Sequence, residues 1–447
     1  AIPDILDRRG ISRMNTGLDG YFRITERGST FRREVLAGLT TFMTMAYILV
    51  IHPVWMASGA GMDRGASIVV TALMSGVFSL FMGVYANLPF SLAPAMGSNA
   101  FFAFTLVKGG IVSWQVGMGM VFISGTVFVL LSVFGIRELI VRLVPRSIKF
   151  GIGVAVGFFI AYLALKDAGF IAFTNNGIKM GSLYEPKAIL GLIGLCFTSV
   201  FMARKVPGGI LLSIVITAAV GIPMGITKLP TSFFAMPASI DPIAFKLDIL
   251  GALKVAYIPF IFTFFVGDFF STLGTVLGVS QKAGLLDKDG NLPGISRPFL
   301  VDSIGTVVGA LFGSTTITTF IESASGVEAG GRTGLTAVVT SLCFFLAIFL
   351  VPVATCIPSQ ATAPALIVIG LMMMSGVKNI DFDDFTEAFP AFMTILVTAY
   401  TVSLANGISA GILIFTVTKV LSGRHREVHW GTYILCIPLV IYFLGMK

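Results

Sequence analysis

Charged residues are scarce in this sequence. Asp, Glu, Lys and Arg make up 12% of its 447 residues, whereas soluble globular domains carry about 25%. Hydrophobic residues make up 55% of the chain, and they recur in runs of about 20 residues, long enough to cross a bilayer. The low charge argues against a soluble globular protein, and the apolar runs predict an all-α membrane protein.

Cysteine and histidine are also rare. The chain has four cysteines with no Cys-x-x-Cys spacing, and two of its three histidines lie in a basic segment near the C-terminus. Neither pattern predicts a metal cluster, and we expect the thiols to be buried, small apolar groups. The cysteines are Cys196, Cys343, Cys356 and Cys436.

The net charge of +8 is unevenly distributed along the chain. Seven arginines precede the first apolar run: Arg8, Arg9, Arg13, Arg23, Arg27, Arg32 and Arg33. With the N-terminus placed inside the cell, the cytoplasmic segments collect 21 of the 30 Lys and Arg residues, the bias typical of a multi-pass protein of that orientation. No basic run alternates with aromatic residues as in a single-strand binder, so we expect no nucleic-acid partner and assign the charge to the bilayer surface.

Hydropathy predicts fifteen candidate spans, of which we expect about fourteen to cross the membrane. The count is open at the C-terminal end. Residues 430–446 could form an appended helix instead of a full span, and residues 385–421 could form one broken helix.

The chain also shows signs of an internal repeat. The seventh span ends near residue 226, about half way along, and Gly61 and Gly284 follow the first and eighth spans. Asn99 and Glu322 each lie 38 residues after these glycines. With seven spans in each half, the second copy must enter from the opposite side, so the sequence predicts a 7+7 inverted repeat.

Two candidate spans at equivalent places in the halves are poor helices. Residues 91–98 follow Pro89 and include Pro94, which removes a backbone donor, and residues 314–321 are polar and β-branched. We expect short extended stretches there, with half-helices starting near Asn99 and Glu322. Matching discontinuous segments are a pointer to a transport site.

Two acidic residues lie well inside predicted spans, Asp268 and Glu322. Each costs roughly 2.5–3.5 kcal/mol at a helix centre, and no Lys or Arg lies mid-span to neutralise them. A buried carboxylate without a cation tends to take up a proton, which favours proton-coupled transport. Asp302 and Glu328 lie near span ends, and we interpret them as exposed or structural.

Four motifs, in order, closely resemble the hypoxanthine–guanine–adenine permeases, the AzgA-like branch of the nucleobase/ascorbate (xanthine/uracil permease) transporter superfamily. They are Thr40–Ile48, Ala93–Ala103, Asp268–Gly278, and Thr319–Gly326 with Gly330–Gly334. The resemblance runs from about residue 20 to the C-terminus.

The resemblance implies a division of the spans into two domains. Spans 1–4 and 8–11 would form a core domain that carries the substrate, and spans 5–7 and 12–14 a gate domain that usually forms a dimer interface. The implied segments are a cytoplasmic N-terminus at 1–34, core domain at 35–134 and 251–354, and gate domain at 149–226 and 361–446. We expect elevator-like movement of the core against the gate.

For function, the resemblance implies import of purine nucleobases across the cell inner membrane by proton symport, with the proton in place of any cofactor. By the resemblance, Asp268 and Glu322 would be the substrate and proton carboxylates, Asn99 a polar contact and Phe320 a stacking aromatic ring. From their surroundings we expect Asp268, inside an apolar helix, to carry the proton, and Glu322, at the positive end of a half-helix, to be the main substrate acceptor with a part in proton coupling. The full implied substrate site is Asn99, Ala100, Phe101, Asp268, Phe320, Ile321, Glu322 and Ser323.

The sequence departs from the family pattern at three positions. Ser271 stands where many relatives have a second Asp, His52 precedes Pro53 where Asn is usual, and Ser98 stands where Leu is common. These changes bear on substrate preference and proton coupling. Two alternatives stay open: an anion transporter of the same fold, carrying sulfate or bicarbonate, and an uncoupled facilitator, channel or sensor.

Overall fold

The computed structural model describes residues 17–134, 144–174, 177–230, 232–287, 292–401 and 403–445. Within these ranges helices form almost all of the regular structure, which confirms the all-α prediction. Part of the charge argument falls on residues outside the described ranges, namely Arg8, Arg9, Arg13 and the basic residues at 137–143.

The first half of the chain contains nine helices among its described residues. They are α1 (Leu18–Phe22), α2 (Phe31–Met45), α3 (Ile48–Ala60), α4 (Arg64–Phe81), α5 (Met96–Ala100), α6 (Trp114–Val133), α7 (Arg146–Asp167), α8 (Pro186–Ala203) and α9 (Gly209–Gly221). Two π-helical segments extend α4 and α5, at Met82–Ala86 and Phe101–Val107.

The second half contains ten more helices in the part of the chain that is described. They are α10 (Ile249–Ala252), α11 (Ile258–Ala283), α12 (Ser296–Phe312), α13 (Ser323–Glu328), α14 (Gly334–Ala347), α15 (Val351–Cys356), α16 (Ser359–Met373), α17 (Phe385–Thr401), α18 (Leu404–Leu421) and α19 (Trp430–Gly445). Short 3₁₀ turns join several of them, at Val255–Tyr257, Ile348–Leu350, Met374–Asn379 and His425–Glu427.

The two glycines that marked the repeat end corresponding helices in the same way. Gly61 ends α3 with φ 69°, and Gly284 ends α11 with φ 68°. This left-handed conformation lets the glycine N–H reach the last free carbonyls of the helix, and glycine adopts it without a steric cost. The matching helix ends follow from the inverted-repeat plan that the sequence predicted.

Nine helical runs in the described ranges are long and apolar enough to cross a membrane. Three shorter apolar helices, Met96–Val107, Gly209–Gly221 and Trp430–Leu444, accompany them. The predicted first span is two helices, α2 and α3, which meet at Ala46–Tyr47. Residues 385–421 form two helices that pack side by side, α17 and α18, and the broken-helix alternative is therefore wrong.

Four short strands complete the fold. β1 (Leu92–Pro94) pairs antiparallel with β4 (Ile317–Thr319), so that Ala93 lies opposite Thr318. A separate hairpin joins β2 (Ile171–Thr174) to β3 (Gly177–Met180). The extended stretches predicted in the third and tenth spans are thus confirmed, and they pair with each other.

The third span begins its helix earlier than predicted. The helix of α5 starts at Met96, with Ala95 as the extended N-cap residue, instead of near Ser98 or Asn99. Pro94 restricts its own backbone and that of the residue before it, but it does not prevent a helix from starting two residues later. As a result Asn99 lies in the first turn of the helix and not at its start.

Helix packing falls into two sets of neighbours. α14 packs on α2 and α4, and α6 packs on α12, while α7 packs on α16 and α17, and α8 on α9 and α16. The helices named in the first set belong to predicted core spans and those in the second to predicted gate spans. The division into two moving domains stays a prediction.

The prediction that all four thiols are buried is wrong. Cys196 is exposed and the other three cysteines are half-buried. Cys196 lies on α8, whose apolar side chains Ile189, Leu192 and Val200 are also exposed. An outward apolar face is expected on a helix that meets lipid, because lipid chains are as apolar as the side chains.

Candidate functional site

The two strands β1 and β4 hold the candidate site together. Beyond their paired residues, the N–H of Ala95 donates to the carbonyl of Thr316 at 2.8 Å, and the N–H of Phe320 donates to the carbonyl of Ser91 at 3.0 Å. Non-helical backbone at membrane depth needs such partners because no water is available to replace them. Each half of the chain therefore supplies hydrogen-bond partners for the non-helical backbone of the other.

Asn99 links the halves through its side chain. It is fully buried, its Nδ2 donates to the carbonyl of Pro94 at 3.2 Å, and its Oδ1 accepts from the hydroxyl of Thr315. Both ends of the amide are occupied by protein groups in this arrangement. Asn99 here fixes the start of α5 against the stretch before β4.

Glu322 lies where β4 passes into the short helix α13, and it faces the break between α2 and α3. The hydroxyl of Tyr47, at that break, donates to Glu322 Oε1 at 2.5 Å. Among the described residues, Tyr47 is the one side chain that donates to this carboxyl group. The half-buried carboxyl group thus keeps acceptor capacity for another donor.

The neighbours of Glu322 differ in exposure. The Phe320 side chain is 5% exposed, whereas that of Ile321 is 58% exposed. Ser323 is buried, and its Oγ accepts the N–H of Ser91 at 3.0 Å. Ile321 therefore offers the open apolar surface beside Glu322, and Phe320 contributes to the packed interior.

Asp268 is buried in the middle of α11. Its Oδ2 accepts from the hydroxyl of Thr306 on α12 at 2.7 Å, and its Oδ1 has no hydrogen-bond partner among the described residues. Thr306 Oγ1 in turn accepts the N–H of Ile317 on β4 at 3.1 Å. A carboxyl group with one free oxygen and only a hydroxyl donor is well suited to hold a proton.

Asp302 on α12 is not exposed, although the sequence places it near a span end; its interpretation as structural stays a prediction. It is fully buried, and its Oδ2 accepts from the hydroxyl of Thr272 at 2.6 Å and from the N–H of Thr319 at 3.0 Å. Its Oδ1 also lacks a partner in the described part of the chain. The burial arises because α12 begins at Ser296 and β4 lies across this part of the helix. Glu328, by contrast, is exposed as expected and pairs with Lys282.

The two aspartates are hydrogen-bonded in a reciprocal pattern. Asp268 and Thr272 are four residues apart on α11, and Asp302 and Thr306 are four apart on α12. Each threonine donates to the aspartate of the other helix. Residues four apart share a helix face, so the repeated Asp-x-x-x-Thr spacing is the sequence signal that could have found Asp302.

Aromatic side chains pack α5 and its π-helical extension against α11. The Phe101 ring is buried, and its centroid lies 5.1 Å from that of Phe264 and 6.2 Å from that of Phe260, both on α11. Ala100 is also fully buried. These residues hold α5 against the helix that carries Asp268.

Comparison with known proteins identifies the family of this chain. Residues 32–412 match a family described as the permease family. The chain belongs to this family. Together with its apolar helices, this makes it a multi-pass membrane transporter and not an enzyme.

Several relatives of this permease match it along nearly the whole chain. A putative permease of Methanocaldococcus jannaschii is 44% identical, covering 96% of this chain and 99% of the relative. The adenine permease AdeQ of Escherichia coli is 38% identical, with 98% and 97% covered. The guanine/hypoxanthine permease PbuG of Bacillus subtilis is 36% identical, with 96% and 99% covered.

Solved structures share the fold of the permease at low sequence identity. The transmembrane domain of the cyanobacterial bicarbonate transporter BicA has a TM-score of 0.60 and 16% identity, covering 85% of this chain and 97% of that one. The murine Slc26a9 anion transporter in the inward-facing state has a TM-score of 0.62 and 12% identity, with 94% and 73% covered. This fold has the 7+7 inverted repeat.

The permease shows where two departures from the family pattern lie. His52 is fully buried, with Nδ1 2.7 Å from Thr71 Oγ1. Because the Thr71 hydroxyl donates to the carbonyl of Ser67, the imidazole must be the donor in this contact. Ser271, where the resemblance implies a second Asp, is exposed and does not face the pair of buried aspartates.

Proposed function

We propose that this permease imports purine nucleobases, among them adenine, guanine and hypoxanthine, by proton symport. The observation that carries the proposal is full-length similarity of 36–38% to relatives named as adenine and guanine/hypoxanthine permeases. The site chemistry and the buried acids support it independently.

The surroundings of Glu322 suit a purine ring. A carboxylate accepts from a ring N–H, and the exposed side chain of Ile321 offers an apolar surface for the flat ring. Tyr47, already bonded to one carboxyl oxygen, holds the group in a fixed orientation. Glu322 is therefore proposed as the main substrate acceptor, and the substrate set stays as predicted: Asn99, Ala100, Phe101, Asp268, Phe320, Ile321, Glu322 and Ser323.

Proton coupling is proposed because the buried acids lack cations. In the described part of the chain, neither Asp268 nor Glu322 forms an ion pair with Lys, Arg or His. A carboxyl group in such surroundings gains a proton more readily than one in water. Asp268 is proposed to carry the proton while Glu322 binds the nucleobase, with the proton in place of any cofactor.

The same acids count against the anion alternative. BicA and Slc26a9 are named as bicarbonate and anion transporters, but at 12–16% identity they indicate a shared fold alone. An anion site favours positive charge, and carboxylates close to it would repel the substrate. The carboxylates favour a neutral base with N–H donors.

The transport movement is proposed to be elevator-like. The first packing set, with α2, α4 and α14, would slide against the second, with α7, α16 and α17. A homodimer through the second set would anchor it in the cell inner membrane, with the N-terminus in the cytoplasm. The basic bias of the predicted cytoplasmic segments supports this orientation.

Radiolabelled uptake tests the proposal directly. Cells that lack their own purine uptake and express this chain are given adenine, guanine, hypoxanthine, xanthine, uracil or urate, with and without a protonophore. We expect saturable purine uptake that collapses with the protonophore and that excess sulfate or bicarbonate does not inhibit. Uptake equal to that of empty cells would disprove purine transport, and uptake unaffected by the protonophore would disprove symport.

A further inference from the structure

A recess of about 430 Å³ lies apart from the predicted site, between the N-terminal helix, the end of α4 and the start of α12. Three arginines line it, Arg23, Arg27 and Arg297, together with Tyr21 and Tyr85. None of its described lining residues is acidic. A concave surface with this composition attracts an anion.

One of the arginines is a fixed part of the wall. Arg27 Nη1 donates to the carbonyl of Asn87 at 2.7 Å and to that of Arg332 at 3.0 Å. Burial, followed by the neighbouring Arg23, lowers the pKa of Arg27, and Glu26 and Glu34 offset part of this. The two guanidinium groups therefore repel each other, and an anion between them would relieve that repulsion.

The other two arginines remain adaptable. Arg297 is exposed, and its guanidinium lies 6.0 Å from the centre of the Tyr85 ring, with no ion pair among the described residues. Arg23 has only a long contact of 3.8 Å to the exposed Glu26. Both can turn toward a ligand without breaking a strong interaction.

The recess opens onto an apolar stripe on α4. Val77 and Phe81, four residues apart on one face of α4, and Val84, in the π-helical segment that extends it and at the recess wall, are each 36–40% exposed. Leu18 on α1 is 56% exposed and lies three residues before Tyr21, on the same face of that short helix. A soluble phosphate compound has no apolar part to contact this stripe, whereas the acyl chain of a lipid does.

From this continuity we propose that the recess binds an anionic phospholipid, with its phosphate between Arg23, Arg27 and Arg297 and one acyl chain along the α4 stripe. Tyrosines at the rim are the side chains expected at the headgroup level of a bilayer. Basic recesses of this kind between membrane helices bind anionic headgroups. The lipid joins the N-terminal helix to α4 and α12, segments from both halves of the chain.

The test uses the full-length protein purified in a neutral detergent and stripped of lipid. Binding of dioleoyl phosphatidylglycerol is titrated by native mass spectrometry and by the rise in melting temperature, with dioleoyl phosphatidylcholine as the neutral lipid. The double variant Arg23→Gln/Arg297→Gln should bind phosphatidylglycerol at least about tenfold more weakly, because each arginine near an anionic headgroup attracts it. The matched control is Lys187→Gln/Arg204→Gln, which removes two exposed charges, one on α8 and one just after its end, and should bind as the wild type does.

Three outcomes overturn the proposal. The first is equal binding of phosphatidylglycerol and phosphatidylcholine by the wild type. The second is unchanged phosphatidylglycerol binding in the double variant. The third is an arginine-dependent rise in melting temperature with millimolar inorganic phosphate or adenosine monophosphate and none with the lipid, which assigns the recess to a free phosphate compound. If the double variant does not fold, Arg297→Gln should still bind the lipid more weakly than Arg297→Lys, and equal binding by that pair overturns the proposal.

Discussion

Two groups of carboxylates in this chain have opposite surroundings. Asp268 and Asp302 receive hydrogen bonds from threonine hydroxyls and one backbone N–H. At the ends of α17 and α18, a charge cluster formed by Asp384, Glu387, Lys419, Arg424 and Glu427 pairs its acids with cations instead. Lys419 is 1% exposed and lies 2.9 Å from Glu387 and 2.7 Å from Glu427.

The difference separates acids that can change charge from acids that cannot. A hydroxyl donor stabilises a charged carboxylate less than a paired cation does, so protonation of the carboxyl group costs less beside a hydroxyl than beside a cation. A cation at 2.7 Å makes loss of the negative charge costly. The aspartate pair therefore suits a transport cycle, and the charge cluster suits a permanent joint between helices.

The largest expected effect is at Asp268. Asp268→Asn keeps the shape and an acceptor for Thr306 but cannot exchange a proton, so it should abolish purine accumulation driven by a pH gradient while leaving some purine binding. Accumulation is measured as the concentration ratio in cells or proteoliposomes, and binding as the thermal shift that purine causes. Asp241→Asn, at an exposed acid, is the control. A variant that still concentrates purine removes Asp268 from the proton path.

Removal of the Lys419 ammonium group from the charge cluster should have the next largest effect, a loss of stability. Lys419→Met removes an ammonium group that is 1% exposed and that pairs with three acids, which are themselves 22–46% exposed. The melting temperature in detergent should fall strongly. Lys282→Met is the matched control, since its ion pair with Glu328 is exposed and should contribute no more than about 1 kcal/mol. Equal shifts for the two variants would contradict the difference between buried and exposed pairs.

A smaller effect is expected at the substrate acceptor. Glu322→Gln keeps the size of the side chain and removes the charge, so purine uptake should fall at least tenfold, about 1.4 kcal/mol. Glu328→Gln changes an exposed acid six residues away and should transport as the wild type does. Initial rates are compared at equal amounts of protein in the membrane. Normal uptake by Glu322→Gln would remove its proposed role.

The smallest effect concerns pH and the charge cluster. Arg424 and then Lys419 lower the pKa of Glu427 to about 2, and the hydroxyl of Thr386, then Arg424, lower the pKa of Asp384. A group whose pKa is lowered on folding stabilises the protein above its unfolded pKa, about 4 for these acids. The melting temperature should therefore be insensitive to these groups above about pH 5 and should fall from there toward pH 2. Glu427→Gln should flatten that fall, whereas Glu185→Gln should not; an identical acid profile in Glu427→Gln would show that Glu427 is not stabilised by its pairs.

The sequence was sufficient for the features that depend on local chemistry. Prolines and β-branched residues predicted the extended stretches, and a change from strand-forming to small residues placed the start of a helix close to Glu322. The paired glycines predicted the repeat. Each of these signals is contained within a few neighbouring residues.

What the sequence missed depends on contacts between distant segments. The burial of Asp302 is due to β4 crossing α12, and hydropathy along the chain does not register that contact. The choice between Phe320 and Ile321 as the exposed side chain next to Glu322 depends on how the strand is rotated in its pair. Likewise, the partners of Asn99 follow from the approach of Thr315, more than two hundred residues later.

The pairing of β1 with β4 has a consequence for biosynthesis. At roughly 5–20 residues per second, a ribosome needs on the order of ten to forty seconds to pass from Leu92 to Thr319. Throughout that time the nascent first half has a stretch of backbone whose hydrogen-bonding partner has not been made. The insertion machinery must therefore keep this stretch hydrated or shielded, and a ribosome that stalls before residue 317 leaves a membrane-embedded fragment with an unpaired strand.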